Sequence, residues 1–258
     1  MRSILFGVAF ALMAPGLGAA APLLTISDDT GRIGDVDLRT GAVTNLRRLD
    51  RNFTDLAYDP QGKLYGLDFS ELSVIEGSTT REIGAHGMAG SANGLAFGRD
   101  GKLYGSSDAL YTLDLGTGKS ARVGPGNFTS SGDLAFVGRK LYLSSTTPIA
   151  DTLVRVDAAT GAGRAVGGFG RSGVFGLFAR NGALFGVAGT SILRIDQATG
   201  AAAEIADYGG QGLGIAFGAA YSGEAVVPVP VPAAAPMLGA AVALLVGLGR
   251  RRGRRPAD

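Results

Sequence analysis

The chain has 258 residues, 43 of them glycine; 46% are hydrophobic, 18% are charged, and there is neither cysteine nor tryptophan. The lack of cysteine excludes disulfides, thiolate nucleophiles and cysteine–zinc sites, and the apolar content is too high for disorder. The net charge of +2 belongs to the ends: with Arg2, the five arginines after residue 249 and Asp258 set aside, 18 basic residues face 21 acidic ones, a net of −3. No basic face and no nucleic-acid partner are expected from that balance.

In chain order, Met1-Arg2-Ser3 leads into an apolar run over residues 4–17 and a small-residue cluster at 18–21. This is the three-part order of a secretory signal peptide, with a cut expected after Ala20.

The body, residues 21–225, is a repeat. One motif recurs as Leu56-Ala57-Tyr58, Leu95-Ala96-Phe97, Leu134-Ala135-Phe136, Leu177-Phe178-Ala179 and Ile215-Ala216-Phe217. A second follows each of the first four: Leu64-Tyr65-Gly66, Leu103-Tyr104-Gly105, Leu141-Tyr142-Leu143 and Leu184-Phe185-Gly186. A third places Asp37, Asp114, Asp157 and Asp196 three residues before a Thr-Gly pair, and the remaining unit has the shorter Glu76-Gly77-Ser78-Thr79 in that place. Each unit reads as four short strands, a to d. Glycines 62, 101 and 182 serve the a–b turns, and the Asp-x-x-Thr-Gly runs serve the c–d hairpins. Four-stranded units of this length are propeller blades.

The expected fold is therefore all-β: a five-bladed β-propeller whose closing blade is composite. Residues 214–217 supply a strand a without the rest of a blade, and residues 23–49 supply strands b to d without a strand a. Joining them removes two open sheet edges. A β-solenoid is the rival architecture, and it has no use for matching half-units.

The repeated hairpin aspartates read as turn chemistry. The ladder Tyr65, Tyr104, Tyr142 and Phe185 reads as core between blades. Ligand-binding candidates come from the loops where repeats differ: His86, Asn127, Phe128, Arg171 and Tyr208 on d–a connections, and Asp68 and Asp108 on b–c connections, with Asp28, Asp29, Asn93 and Gln211 nearby. Asp55 and Asp133 precede strand a where the other units have Gly94, Gly176 and Gly214. Two carboxylates facing each other across the channel mouth would offer acid–base chemistry on a glycosidic bond. His86 is the only histidine, which excludes a histidine-based triad. No cofactor or metal site is expected.

After the body come Val226-Val227-Pro228-Val229-Pro230-Val231-Pro232, a stiff extended spacer, then 17 uncharged residues at 233–249, and then Arg250-Arg251-Arg252-Gly253-Arg254-Arg255. The uncharged stretch is long enough for a short transmembrane helix, and the arginines at 250–258 keep the tail tip cytoplasmic. The order Val229-Pro230-Val231-Pro232-Ala233, apolar span, Arg250-Arg251-Arg252 resembles the PEP-CTERM sorting tails, in the VPLPA-CTERM form, with Val231 in place of leucine. The resemblance covers about the last 30 residues. It implies an exported, inner-membrane-anchored protein, an exosortase-type membrane peptidase as partner, and a final place at the cell surface or in extracellular polysaccharide. Two readings of the body stand side by side: a non-catalytic propeller binding polysaccharide or protein, and a secreted glycan-active hydrolase or lyase using Asp55 and Asp133.

Overall fold

The computed structural model describes residues 23–147 and 149–224. The expected signal peptide, Val-Pro spacer, transmembrane helix and basic tail lie outside them. The described residues form 20 strands, and none of them forms a helix long and apolar enough to cross a membrane.

The strands make five antiparallel sheets of four. Starting from the first residues, β1 (Leu24–Asp28), β2 (Arg32–Val36) and β3 (Val43–Arg48) belong to the closing sheet. Then come β4 (Asp55–Tyr58), β5 (Leu64–Leu67), β6 (Glu71–Glu76) and β7 (Thr79–Ala85), followed by β8 (Gly94–Phe97), β9 (Leu103–Ser106), β10 (Leu110–Leu113) and β11 (Ser120–Val123). A third run is β12 (Thr129–Val137), β13 (Lys140–Thr147), β14 (Thr152–Val156) and β15 (Gly163–Gly168); a fourth is β16 (Val174–Arg180), β17 (Ala183–Ala188), β18 (Ser191–Ile195) and β19 (Ala202–Asp207). The last strand, β20 (Ala216–Tyr221), pairs with β1 and completes a sheet of order β20-β1-β2-β3. The first strands of the blades touch in cyclic order, β4 to β8 to β12 to β16 to β20 and back to β4, so the ring is closed around a central channel.

The composite blade is present, but its inner strand sits four residues later than its motif suggests. Leu56 pairs with Gly66, Leu95 with Gly105 and Leu177 with Gly186. In the closing sheet the matching pairs are Ala219 with Ile26 and Gly218 with Ser27. The part of β20 equivalent to strand a is thus Gly218-Ala219-Ala220-Tyr221, and Ile215-Ala216-Phe217 is a look-alike that overlaps the start of the strand. Gly218, not Gly214, corresponds to Asp55. The reason is space: a side-chain carbon on Gly218 would overlap the backbone and carboxylate of Asp55, so glycine is needed at this step of the ring. Ile215 is half exposed.

The core is likewise a ring. Each of five buried clusters spans the seam between two neighbouring blades. Tyr65 meets Phe97 of the next blade edge to face at 5.3 Å, and Tyr104 meets Phe136 in the same way. Tyr142 packs in one cluster with Ala179 of the next blade, and Phe185 with Tyr221. At the last seam Thr25 takes the tyrosine's place, and its hydroxyl bonds Tyr58 at 2.8 Å. Each fully buried aromatic or leucine contributes about 1.5–3 kcal/mol.

The c–d hairpins close as their chemistry requires. Asp37 Oδ1 accepts from the amides of Arg39 and Thr40 and from the Thr40 hydroxyl, and the same pattern surrounds Asp114. Glycines 41, 118, 161 and 200 take φ between +70° and +83°. They also press on the preceding blade: a Cβ would collide with the carbonyls of Asp207, Gly84, Val123 and Gly167 respectively. The hairpin tip of the β6–β7 pair lacks this lock. Instead Arg47 Nε donates to the Gly77 carbonyl (2.7 Å) and Thr80 to Asp50 (2.7 Å).

This packing makes a contrast measurable. Gly182, in an a–b turn at φ +76°, has open space around it. Gly182→Ala is expected to cost about 1–2 kcal/mol of left-handed strain. Gly161→Ala adds a backbone collision between blades and is expected to lose at least twice as much, read as the difference in urea midpoint between the two variants.

Candidate functional site

The innermost strands turn alternate amides away from their partners and into the channel. Asp59 and Gly98 donate outward to Lys63 and Lys102, so Leu56, Tyr58, Leu95 and Phe97, one step out of phase, point inward. Such buried donors need acceptors. At the first level the two aspartates supply them all. Asp55 Oδ1 accepts from its neighbour Leu56 (2.8 Å), Oδ2 from Leu95 of the next blade (2.5 Å), and the carboxylate also takes the amide of Ala219. Asp133 accepts from Leu134 and Leu177, each at 2.5 Å. Two carboxylates thereby hold one amide from each of the five blades.

Asp55 and Asp133 also hydrogen-bond each other, and both are 0% exposed. Burial pushes both carboxyls well above the ordinary range; for Asp133 the charge of Asp55 adds to it. Two contacting carboxyls removed from solvent share a proton.

One strand-level away stands a third acid. Glu224, three residues past the end of β20, folds back so that its Oε1 accepts from Phe136 (2.9 Å) and its Oε2 from Ala179 (3.0 Å). Burial raises it to about 8, although these two amides pull the other way. Between the two carboxylate levels remains a cavity of about 10 Å³, bounded by Tyr58, Phe97, Tyr221 and Glu224 among others, room for one water. The expectation of two carboxylates at an open channel mouth is thus corrected: the pair is inside, in contact and covered. Its cause is the need of five inward amides for acceptors, which a motif count does not register.

The loop candidates are spread around the rim. His86 and Asp68 are together: His86 Nε2 lies 3.2 Å from the Asp68 carbonyl, its Nδ1 accepts from Met88, and burial lowers its pKa. Asp68 also closes its own turn onto Ser70 and Glu71 and pairs with Arg51 at 3.3 Å; Arg51 further pairs with Glu71. Asp108 accepts from Tyr111 and pairs with Arg122 at 2.9 Å. Asn127 exchanges two bonds with the backbone of Gly163, against which Phe128 lies. Tyr208 is fully buried, its hydroxyl donating to carbonyls of Gly189 and Gly214. Arg171 is exposed and pairs with Glu204. Asp28, 0% exposed, accepts from Thr30, Arg32 and Gly214. Most of these side chains therefore hold loops. Glu224 was missed because nothing around it in sequence repeats; only its position beyond the last strand hinted at a plug.

No family model matches the chain, and no curated protein does. Solved structures do resemble it. A chain of the nidogen/laminin complex matches with a TM-score of 0.51 at 12% identity, over 78% of this chain and 98% of that one. A gluconolactonase from Xanthomonas campestris, XC5397, matches with a TM-score of 0.49 at 18% identity, over 74% and 76%. A protein of unknown function from Bacteroides caccae gives 0.44 at 12% identity, over 70% and 72%. At such identities the likeness concerns the fold alone.

Proposed function

We propose that this chain is an exported, exosortase-sorted surface or extracellular-matrix protein whose propeller binds polysaccharide or protein without catalysis. The observation that carries the non-catalytic half is the state of Asp55 and Asp133. A glycosidase needs two carboxylates spaced across an open cleft, about 5–10 Å apart. Here they touch, are 0% exposed, and have their oxygens turned to backbone amides. Their work is to hold the ring.

The export half rests on the signal-like start and on the resemblance of the residues around Val229-Pro230-Val231-Pro232-Ala233 to a sorting motif. The body is compatible with anchoring at one end. Leu23 and Ser222 exchange two hydrogen bonds, at 2.8 and 2.9 Å, so both flanking segments begin side by side and the loop-bearing rim is left for a partner.

The test is a glycan panel and a pull-down with the full-length chain in detergent, with hydrolysis followed in parallel. Retention of a glycan or a surface protein without turnover is expected. Turnover that disappears in Asp55→Asn or Asp133→Asn would return the hydrolase or lyase reading. Co-expression with an exosortase-type peptidase is expected to shorten the chain, and Pro230→Ala with Pro232→Ala to prevent it.

A further inference from the structure

The chain-wide charge balance conceals a local excess. A groove of about 680 Å³ runs along the blade built from β12 to β15 and ends against the next blade's c–d hairpin. Its walls carry Arg139 and Lys140 from an a–b turn, Arg155 from β14 and Arg164 from β15, with Gln197 at the far side. All four basic residues are exposed, and among the described residues none forms an ion pair. The one acid of the groove, Asp157, is occupied by the amides of Thr160 and Ala159, which lower its pKa and keep it ionised. The net charge of the groove is +3.

Arg155 and Arg164 stand directly opposite each other across the β14–β15 pair. Like charges in that relation destabilise a sheet. Arg51, Arg81, Arg122 and Arg171 find acids; among the described residues Arg155 and Arg164 do not, nor do Arg32 and Arg48, which face each other across the β2–β3 pair. What sets Arg155 and Arg164 apart is the groove they share with Arg139 and Lys140, which gathers four unpaired cations along one surface.

From this placement we infer that the groove binds a polyanionic polysaccharide, one bearing carboxylates along its chain. Guanidinium forks match carboxylates two bonds at a time. The charges come from three separate segments and line a groove, which suits an extended polymer better than one compact anion. The only aromatic of the groove, Tyr142, is 2% exposed, so it offers no face on which nucleic-acid bases would stack. The inference rests on the polysaccharide-binding reading and names the ligand class within it.

The probe is polygalacturonate, with dextran as the neutral polymer, and the protein is the full-length chain in nonionic detergent. The variant is Arg155→Ser with Arg164→Ser. It removes a repulsion, so its melting temperature is expected to hold or rise. Polygalacturonate affinity is expected to fall at least tenfold in the variant, and to weaken steeply with salt in the parent. Equal binding by parent and variant overturns the inference. So does dextran binding without polygalacturonate binding, which leaves the general polysaccharide reading intact; retention of neither polymer removes both. A groove-dependent affinity seen only for detergent micelles doped with phosphatidylglycerol, or only between copies of the chain in sedimentation, also overturns it and assigns the groove to that partner instead.

Discussion

Asp55→Ala is expected to remove a large share of the stability of the body. The substitution leaves the inward amides of Leu56, Leu95 and Ala219, from three different blades, without their acceptor. A buried donor left unpaired costs about 1–3 kcal/mol, so three cost at least roughly 3 kcal/mol, a large share of the 5–15 kcal/mol typical of a domain. Asp133→Ala orphans two, Leu134 and Leu177, and is expected to be the milder of the two. Urea midpoints by tryptophan-independent circular dichroism give the order, since the chain has no tryptophan. A purely catalytic pair would show the opposite: enzymes often gain stability when such a pair is neutralised.

Raising the pH is expected to weaken the fold through the same channel. Glu224 ionises near 4.5 when unfolded and at about 8 in place. Between those values the native state keeps a proton that the unfolded chain has lost, so stability falls as pH rises. The loss is about 5 kcal/mol over the window, at 1.36 kcal/mol per unit. Asp55 and Asp133, raised by burial, act in the same direction. His86 opposes it only up to its ordinary 6.5, because burial lowers it. The clean interval is therefore pH 6.5 to 8, where Glu224 alone accounts for roughly 2 kcal/mol. Glu224→Gln offers a nitrogen to one of the two amides and is expected to be less stable at pH 6.5 but to show a flatter profile. A parent whose midpoint rises from pH 6.5 to 8 would contradict the raised pKa of this half-buried plug.

The blades were legible because each is a local event. A Leu-Ala-aromatic triplet, a glycine turn and an Asp-x-x-Thr-Gly hairpin specify themselves within a dozen residues, and strands β4 to β19 contain the residues these signs mark, although β12 and β13 also take in residues 129–132 and 144–147, which read as loop. Composite closure was legible from complementarity of the two half-units. The register of its inner strand was not, because Ile215-Ala216-Phe217 copies the motif while the competing constraint, contact between Gly218 and Asp55, spans more than 160 residues. The site was less legible still. Asp55 and Asp133 stood out as odd positions in a repeat, but their burial follows from where five strands converge. His86 and Tyr208 looked like loop side chains and are loop cement. The basic groove vanished in a sum over the whole body, since a sum carries no position.

The pairing of β1 with β20 also imposes an order in time. The earliest strand of the body emerges from synthesis with its inner edge bare and waits for a partner nearly 200 residues behind it, Leu24 for Tyr221. Contacts of such sequence separation form slowly, and an exposed edge invites intruders meanwhile. Four blades can mature as they arrive, whereas the first three strands stay provisional until the last is delivered. A helper that shields a lone strand edge during that interval has its natural client in the opening thirty residues of the body.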